Sequence, residues 1–213
     1  MNKHIKRRNF IKTIAATPLL LPSRLAAKRQ RPTAPQTAGP FYPEFPTEQP
    51  QEKYDANLLT TNTGSPTAKG ETLALSGEVT TIDGAAIANA TVEIWQCDAT
   101  GHYHHPADRP SEARDDNFQG YGQTQTSENG RYEFLTIVPV GYPGRTPHIH
   151  VAITVRGYRP LTTQMYIADA ANNANDVLYQ RLSTAEQRSL TVPIVSSRTP
   201  GTPKRAYFLI TMA

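Results

Sequence analysis

Polar and apolar residues alternate along several short stretches of the chain, and this alternation predicts strands. Thr72 to Thr81 repeats with a period of two, and Asp83-Gly84 beyond it is a turn signal. Ala90 to Trp95 alternates again, with Val92 and Ile94 on one face and Glu93 and Trp95 on the other. Asn129-Gly130 marks a tight turn before a strand from Arg131 to Val138. Pro147 to Val155 carries Ile149, Val151, Ile153 and Val155 on one face. Further short strands fit Thr162 to Ile167, Leu190 to Val195 and Ala206 to Thr211. Between them, Asn175 to Ser189 accommodates one or two helical turns, with Ser183 and Glu186 at capping-box spacing. Many short strands with little helix predict an all-β fold, an antiparallel β-sandwich with long loops.

The pattern divides the chain in three. Residues 71–213 hold the strands and form the sandwich domain. Residues 28–70 are rich in Pro, Thr, Gln and Gly and read as an extended arm. The aromatics Phe41, Tyr42 and Phe45 indicate that this arm packs onto something. Residues 1–27 form a leader: Arg7-Arg8-Asn9-Phe10-Ile11-Lys12 precedes a short apolar stretch, which resembles a twin-arginine signal peptide. That route predicts a periplasmic or extracellular protein, exported folded with its cofactor already in place.

Composition sharpens this picture at two points. The chain carries 22 basic and 18 acidic residues, a net charge of +4. Six of the basic residues lie in the leader and none of the acidic ones do, so the body is slightly acidic. No nucleic-acid partner is expected of such a surface. There is one cysteine, Cys97, so no disulfide can form within the chain. Its small buried type suits packing, not ligation of a hard metal.

The candidate chemistry starts at His148-Ile149-His150. Residues two apart on a strand leave the same face, so both imidazoles can serve one metal ion. Six residues earlier, Tyr142 sits between Gly141 and Pro143 in a loop that leads into that strand. Tyr103 follows the Val92 to Trp95 strand, in Gly101-His102-Tyr103. Two neutral imidazoles and two phenolates form a hard, dianionic ligand set that favours Fe(III) over Zn or Cu(I). A phenol has a pKa near 10, so only a strongly Lewis-acidic ion keeps it ionised at neutral pH.

With these residues in view, the chain resembles the intradiol ring-cleavage dioxygenases, the family of protocatechuate and catechol dioxygenases. The resemblance runs from about Gln36 to Asp169. It is carried by Gln36-Thr37-Ala38-Gly39-Pro40-Phe41, the run from Ala90 to Asp98, Gly101-His102-Tyr103, Arg145-Thr146-Pro147-His148-Ile149-His150 and Thr163-Gln164-Met165-Tyr166. It implies one non-haem Fe(III) per chain, a small-molecule catechol and O2 as substrates, and a muconate-type diacid as product. It implies that Tyr103, Tyr142, His148 and His150 bind the metal, and that Tyr142 is the ligand that leaves when substrate chelates. Arg145 matches the arginine beside the bound catechol, and Gln164 a pocket glutamine. Pro40 and Phe41 match an arm that lines the pocket in protocatechuate enzymes, there lent by a neighbouring subunit, so a homo-oligomer is consistent with the resemblance. The chain departs from the family pattern in a shorter loop between Tyr142 and His148 and in Gly144, where an aromatic is usual. Both departures bear on the shape of the pocket.

Two other readings stand beside this one. His102, His104 and His105 crowd around Tyr103 and, with His148 and His150, could make a His-rich Zn or Cu site. An exported sandwich that carries small aromatics without iron would share the fold alone.

Overall fold

The structure, a computed structural model, describes residues 29–43, 55–61, 67–109 and 113–213. The twin-arginine stretch and Phe45 lie outside the described residues. The domain is built from β1 (Thr72–Thr81), β2 (Thr91–Trp95), β3 (Tyr121–Gln125), β4 (Arg131–Ile137), β5 (His148–Thr154) and β6 (Leu161–Ile167). A 3-10 turn (Ala171–Ala174), α1 (Val177–Gln180), α2 (Thr184–Leu190), β7 (Thr191–Val192) and β8 (Lys204–Met212) complete it. The strands form two sheets, one in the order β4-β1-β8 and the other in the order β3-β2-β5-β6-β7.

The expected β-sandwich is present, and its pairings are not all antiparallel. β1 runs parallel to β8, and β6 runs parallel to β7. A parallel neighbour needs a long crossover, and the segment between β6 and β7 supplies one from the 3-10 turn, α1 and α2. The expected capping box closes the start of α2: Ser183 Oγ accepts from Glu186 N, and Glu186 accepts from Ser183 N at 2.8 Å. The turn at Asn129-Gly130 carries the chain from the second sheet to the first instead of closing a hairpin. Gly130 has φ +77°, and a Cβ there would meet Val79 O at 2.7 Å, so this crossing tolerates only glycine.

Leu73, Leu75 and Val79 of β1 join Phe208 and Ile210 of β8 in one apolar cluster with Val92, Ile94, Ile149, Val151 and Ile153. Each such side chain contributes roughly 1.5–3 kcal/mol through burial. The opposite face of the second sheet is also buried, because β2 and β5 are covered on both sides. Its cover begins with the arm. Gln36 N donates to Thr162 O at 2.8 Å, and Thr37 O accepts from Gln164 Nε2 at 2.8 Å. The arm residues described have no regular structure of their own, so their backbone groups are satisfied by the sheet they cross.

Candidate active site

Strand register assembles the site on that covered face. Trp95 of β2 pairs with Tyr121 of β3 on one side and with His150 of β5 on the other, and His150 pairs with Gln164 of β6. One row across four strands therefore reads Tyr121, Trp95, His150, Gln164. In the next row His148 pairs with Tyr166. Tyr103 and Tyr142 approach from loops. The ring centroids lie 4.9 Å apart for His148 and His150, 5.6 Å for Tyr142 and His148, 5.7 Å for Tyr103 and Tyr142, and 6.2 Å for Tyr103 and His150.

The hydrogen bonds fix which atoms face the centre. His148 Nδ1 lies 2.7 Å from Thr146 O, and a carbonyl only accepts, so the proton is on Nδ1 and Nε2 holds a lone pair. That Nε2 faces His150 Nε2 at 3.3 Å. His150 Nδ1 is buried without a partner in hydrogen-bond geometry, although the Thr37 carbonyl lies nearby. Tyr103 Oη is likewise buried and unpartnered by geometry, with the Tyr142 hydroxyl close enough to influence it. Buried polar atoms are seldom left this way in a folded protein, and each omission costs about 1–3 kcal/mol. Burial and the Arg145 charge push His148 down to about 4, and burial with the neighbouring His148 lowers His150 well below its usual value. Both imidazoles are therefore neutral at physiological pH. Burial raises Tyr103 well above the usual phenol value and raises Tyr142 too, so protein alone keeps both protonated.

A cation at this centre would resolve the facing imidazole nitrogens and the Tyr103 oxygen together. It would take the facing lone pairs of His148 and His150, occupy the unpartnered Tyr103 oxygen, and offset the burial that raises the two phenols. The donor set of two nitrogens and two phenol oxygens thus fits Fe(III). The His-rich alternative finds no such support: among the described residues no group of three or more His, Cys, Asp or Glu is placed to hold a metal. His105 is buried against Phe41, and His102 lies 3.6 Å from Asp108. Cys97 is buried with its pKa pushed up to about 12 by burial, as suits a packing residue.

Arg145 reaches the site from the Tyr142 loop with its whole fork engaged. Nε donates to Asp176 Oδ2 at 2.9 Å, Nη2 to Gln164 Oε1 at 2.5 Å and Nη1 to Tyr142 Oη at 3.4 Å. Phe41 stacks on Tyr103 with centroids 4.8 Å apart, whereas Pro40 lies on the exposed turn before it. Gly39 crosses directly over His150, where a Cβ would stand 3.4 Å from Cε1. The arm thus folds over its own chain's site.

Reading the sequence missed three contributors. Trp95 stacks on His150 with centroids 4.9 Å apart and planes at 5°, and so fixes the imidazole plane. Glu93, a buried carboxylate, accepts from Tyr42 Oη at 2.8 Å and Tyr121 Oη at 2.7 Å, which ties the arm to the sheet. Asp176 is completely buried beneath Arg145. The alternation sets Glu93 and Trp95 opposite the apolar face of Val92 and Ile94, and that is the available signal for the first two. Nothing local marks Asp176.

Comparison with known proteins bears on what this arrangement is. The model of a family described as Dioxygenase matches residues 39–202. The Burkholderia cepacia protocatechuate 3,4-dioxygenase beta chain is 38% identical over 120 residues, 52% of this chain and 51% of the relative, so this chain spans about half of its length. The alpha chain from the same organism is 34% identical over 180 residues, 80% of this chain and 87% of the relative. Among solved structures, the dioxygenase domain of a dioxygenase carbohydrate-binding protein fusion from Streptomyces sp. SirexAA-E superposes with a TM-score of 0.61 at 26% identity, covering 85% of this chain and 97% of that one. With the family match over most of its length, and the sandwich and the four gathered donors where that match falls, the chain belongs to the family of intradiol ring-cleavage dioxygenases.

Proposed function

We propose that the chain is a non-haem Fe(III) dioxygenase that opens a catechol ring between its two hydroxylated carbons and yields a muconate-type diacid. The observation that carries this reading is the convergence of two neutral imidazole Nε2 atoms, 3.3 Å apart, with the buried phenol of Tyr103 and the half-buried phenol of Tyr142 on one face. Tyr103, Tyr142, His148 and His150 would hold the iron. Bound Fe(III) would supply Lewis acidity and a template on which catechol and O2 meet.

The chain's own groups divide the remaining work. As a phenolate, Tyr142 Oη is a base for a catechol hydroxyl proton, and it is the half-exposed phenol of the two, free to swing aside. Arg145 Nη1 lies 3.4 Å from that oxygen, so an anionic group taking its place meets a fixed cation. Gln164 holds the guanidinium from the sheet side through Oε1 and anchors the arm through Nε2. Tyr103 stays in place because Phe41 stacks on it and Asp108 accepts from its backbone N–H at 2.6 Å. Trp95 and Phe41 pack with Tyr103 into an apolar wall on this side of the site.

The visible spectrum of the purified protein, recorded with iron quantified on the same sample, tests the reading. A broad phenolate-to-iron charge-transfer band, about one iron per chain, and a band shift on adding catechol without oxygen are expected. A colourless protein loaded with zinc or copper, or one that binds no iron on reconstitution, would sink it.

The surroundings also constrain the substrate. An open groove of about 610 Å³ beside Tyr142 is lined by Gly141, Pro143, Gly144, Pro147, Ala170 and Asn172 among others, with no charged side chain among the described residues. A Cβ at Gly144 would meet nothing within 4 Å, so the glycine keeps this groove open. Among the described residues, the cation that acts on Tyr142, His148 and His150 is Arg145, already bonded to Asp176. A carboxylate on the ring would find no free cation among the described residues and would lose hydration. Methylcatechol is therefore expected to be turned over with kcat/KM at least about tenfold above protocatechuate, a difference of about 1.4 kcal/mol. The reverse preference in a competition assay would show that a cation outside this set serves the pocket.

A further inference from the structure

Asp176 begins the short helix α1 and lies 31 residues beyond Arg145 in sequence. Its carboxylate is buried and fully used. Oδ2 accepts from Arg145 Nε and from Thr146 N, each at 2.9 Å. Oδ1 accepts from Leu178 N at 2.9 Å and Tyr179 N at 3.0 Å. The helix cap thus holds the carboxylate still, and the carboxylate in turn holds the arginine.

We propose that Asp176 is the positioning residue for Arg145: it fixes the plane of the guanidinium so that Nη1 presents one directed cationic N–H to the reacting group. This rests on the ring-cleavage reading above. An arginine side chain loses on the order of 2 kcal/mol of rotamer entropy when it is held. The Nε bond to Asp176 and the Nη2 bond to Gln164 impose that ordering before substrate arrives, and Nη1 alone is left facing Tyr142. Asp176 touches no atom of the four metal-binding side chains in any bond described, so its influence runs through Arg145 and the Thr146 peptide. A displacement of about 1 Å in such a group can slow a reaction about a hundredfold.

The test is Asp176→Asn in iron-loaded protein, with Arg145→Gln and the double variant beside it. Iron content and the charge-transfer band are expected to match the parent, with kcat down roughly 10- to 100-fold and KM changed less than about threefold. In the Arg145→Gln background the same change is expected to cost less than about twofold, because the group it positions is gone. In iron-free protein, the slowly exchanging Arg145 Nε–H signal by nitrogen NMR is expected to disappear in Asp176→Asn. If Asp176→Asn does not fold, Asp176→Ser keeps a helix-capping oxygen and removes the acceptor shared by Arg145 Nε and Thr146 N, and it carries the same expectations. Equal losses in both backgrounds, or loss of iron in step with activity, would overturn the proposal. A parent protein without the iron band or ring cleavage would instead overturn the functional reading, and that result appears before any variant is made.

Discussion

Tyr103→Phe is expected to cut ring cleavage by more than about 100-fold while leaving the iron-free protein as stable as the parent, or more so. The two halves of this expectation share one cause. Tyr103 is buried with its hydroxyl unpartnered by geometry, and burial drives its phenol well above the ordinary value. In the iron-free fold that oxygen is a liability of about 1–3 kcal/mol, and phenylalanine removes it while keeping the stack on Phe41. In the iron-loaded enzyme proposed above, the same oxygen would be a ligand. Even groups that merely orient metal ligands are worth about 10–100-fold in affinity or activity, so a ligand itself should exceed that range. Thermal unfolding of the iron-free pair, with iron content and turnover of the loaded pair, gives both numbers. A clear drop in iron-free stability would mean that the hydroxyl serves the fold.

Arg145→Gln is expected to lower kcat by about 10²–10³, the usual loss when one donor to a developing negative charge is removed. It should also destabilise the protein, because Asp176 would keep a buried charge without its cation. Breaking such a pair from one side costs about 3–5 kcal/mol. Arg145→Lys separates the effects. It restores a positive charge near Asp176, so most of the stability should return. A single ammonium cannot serve Asp176, Gln164 and the reacting group at once, so kcat should stay low. Equal kcat in the lysine variant and the parent would show that the reaction needs charge without the fork.

Much of the scaffold was legible because strand periodicity is local. The Thr72–Thr81 strand appears over the span its alternation predicts, and the Ser183 and Glu186 spacing closes α2 as a capping box. β3 was not legible. Tyr121-Gly122-Gln123-Thr124-Gln125 has no apolar alternation, and it becomes a strand through pairing with β2, with Leu58 packed where a Gly122 side chain would stand. Asp115 lies among residues of mixed charge, yet it is buried and accepts from Lys69 N at 2.6 Å. Burial of a single charge depends on donors that arrive from elsewhere in the chain.

The residues alone determined that His148 and His150 share a face, that Tyr142 stands six residues before the first of them, and that two imidazoles with two phenols suit Fe(III), because side-chain alternation and ligand hardness are properties of residues and their immediate spacing. Only the tertiary structure decided that Trp95 would lock the His150 plane, that Glu93 would fasten the arm through Tyr42, and that Asp176 would hold Arg145. Those contacts join separate strands, a loop and the crossover before β7. Their geometry is set by sheet register and by the path of the returning chain, which no short window of sequence contains.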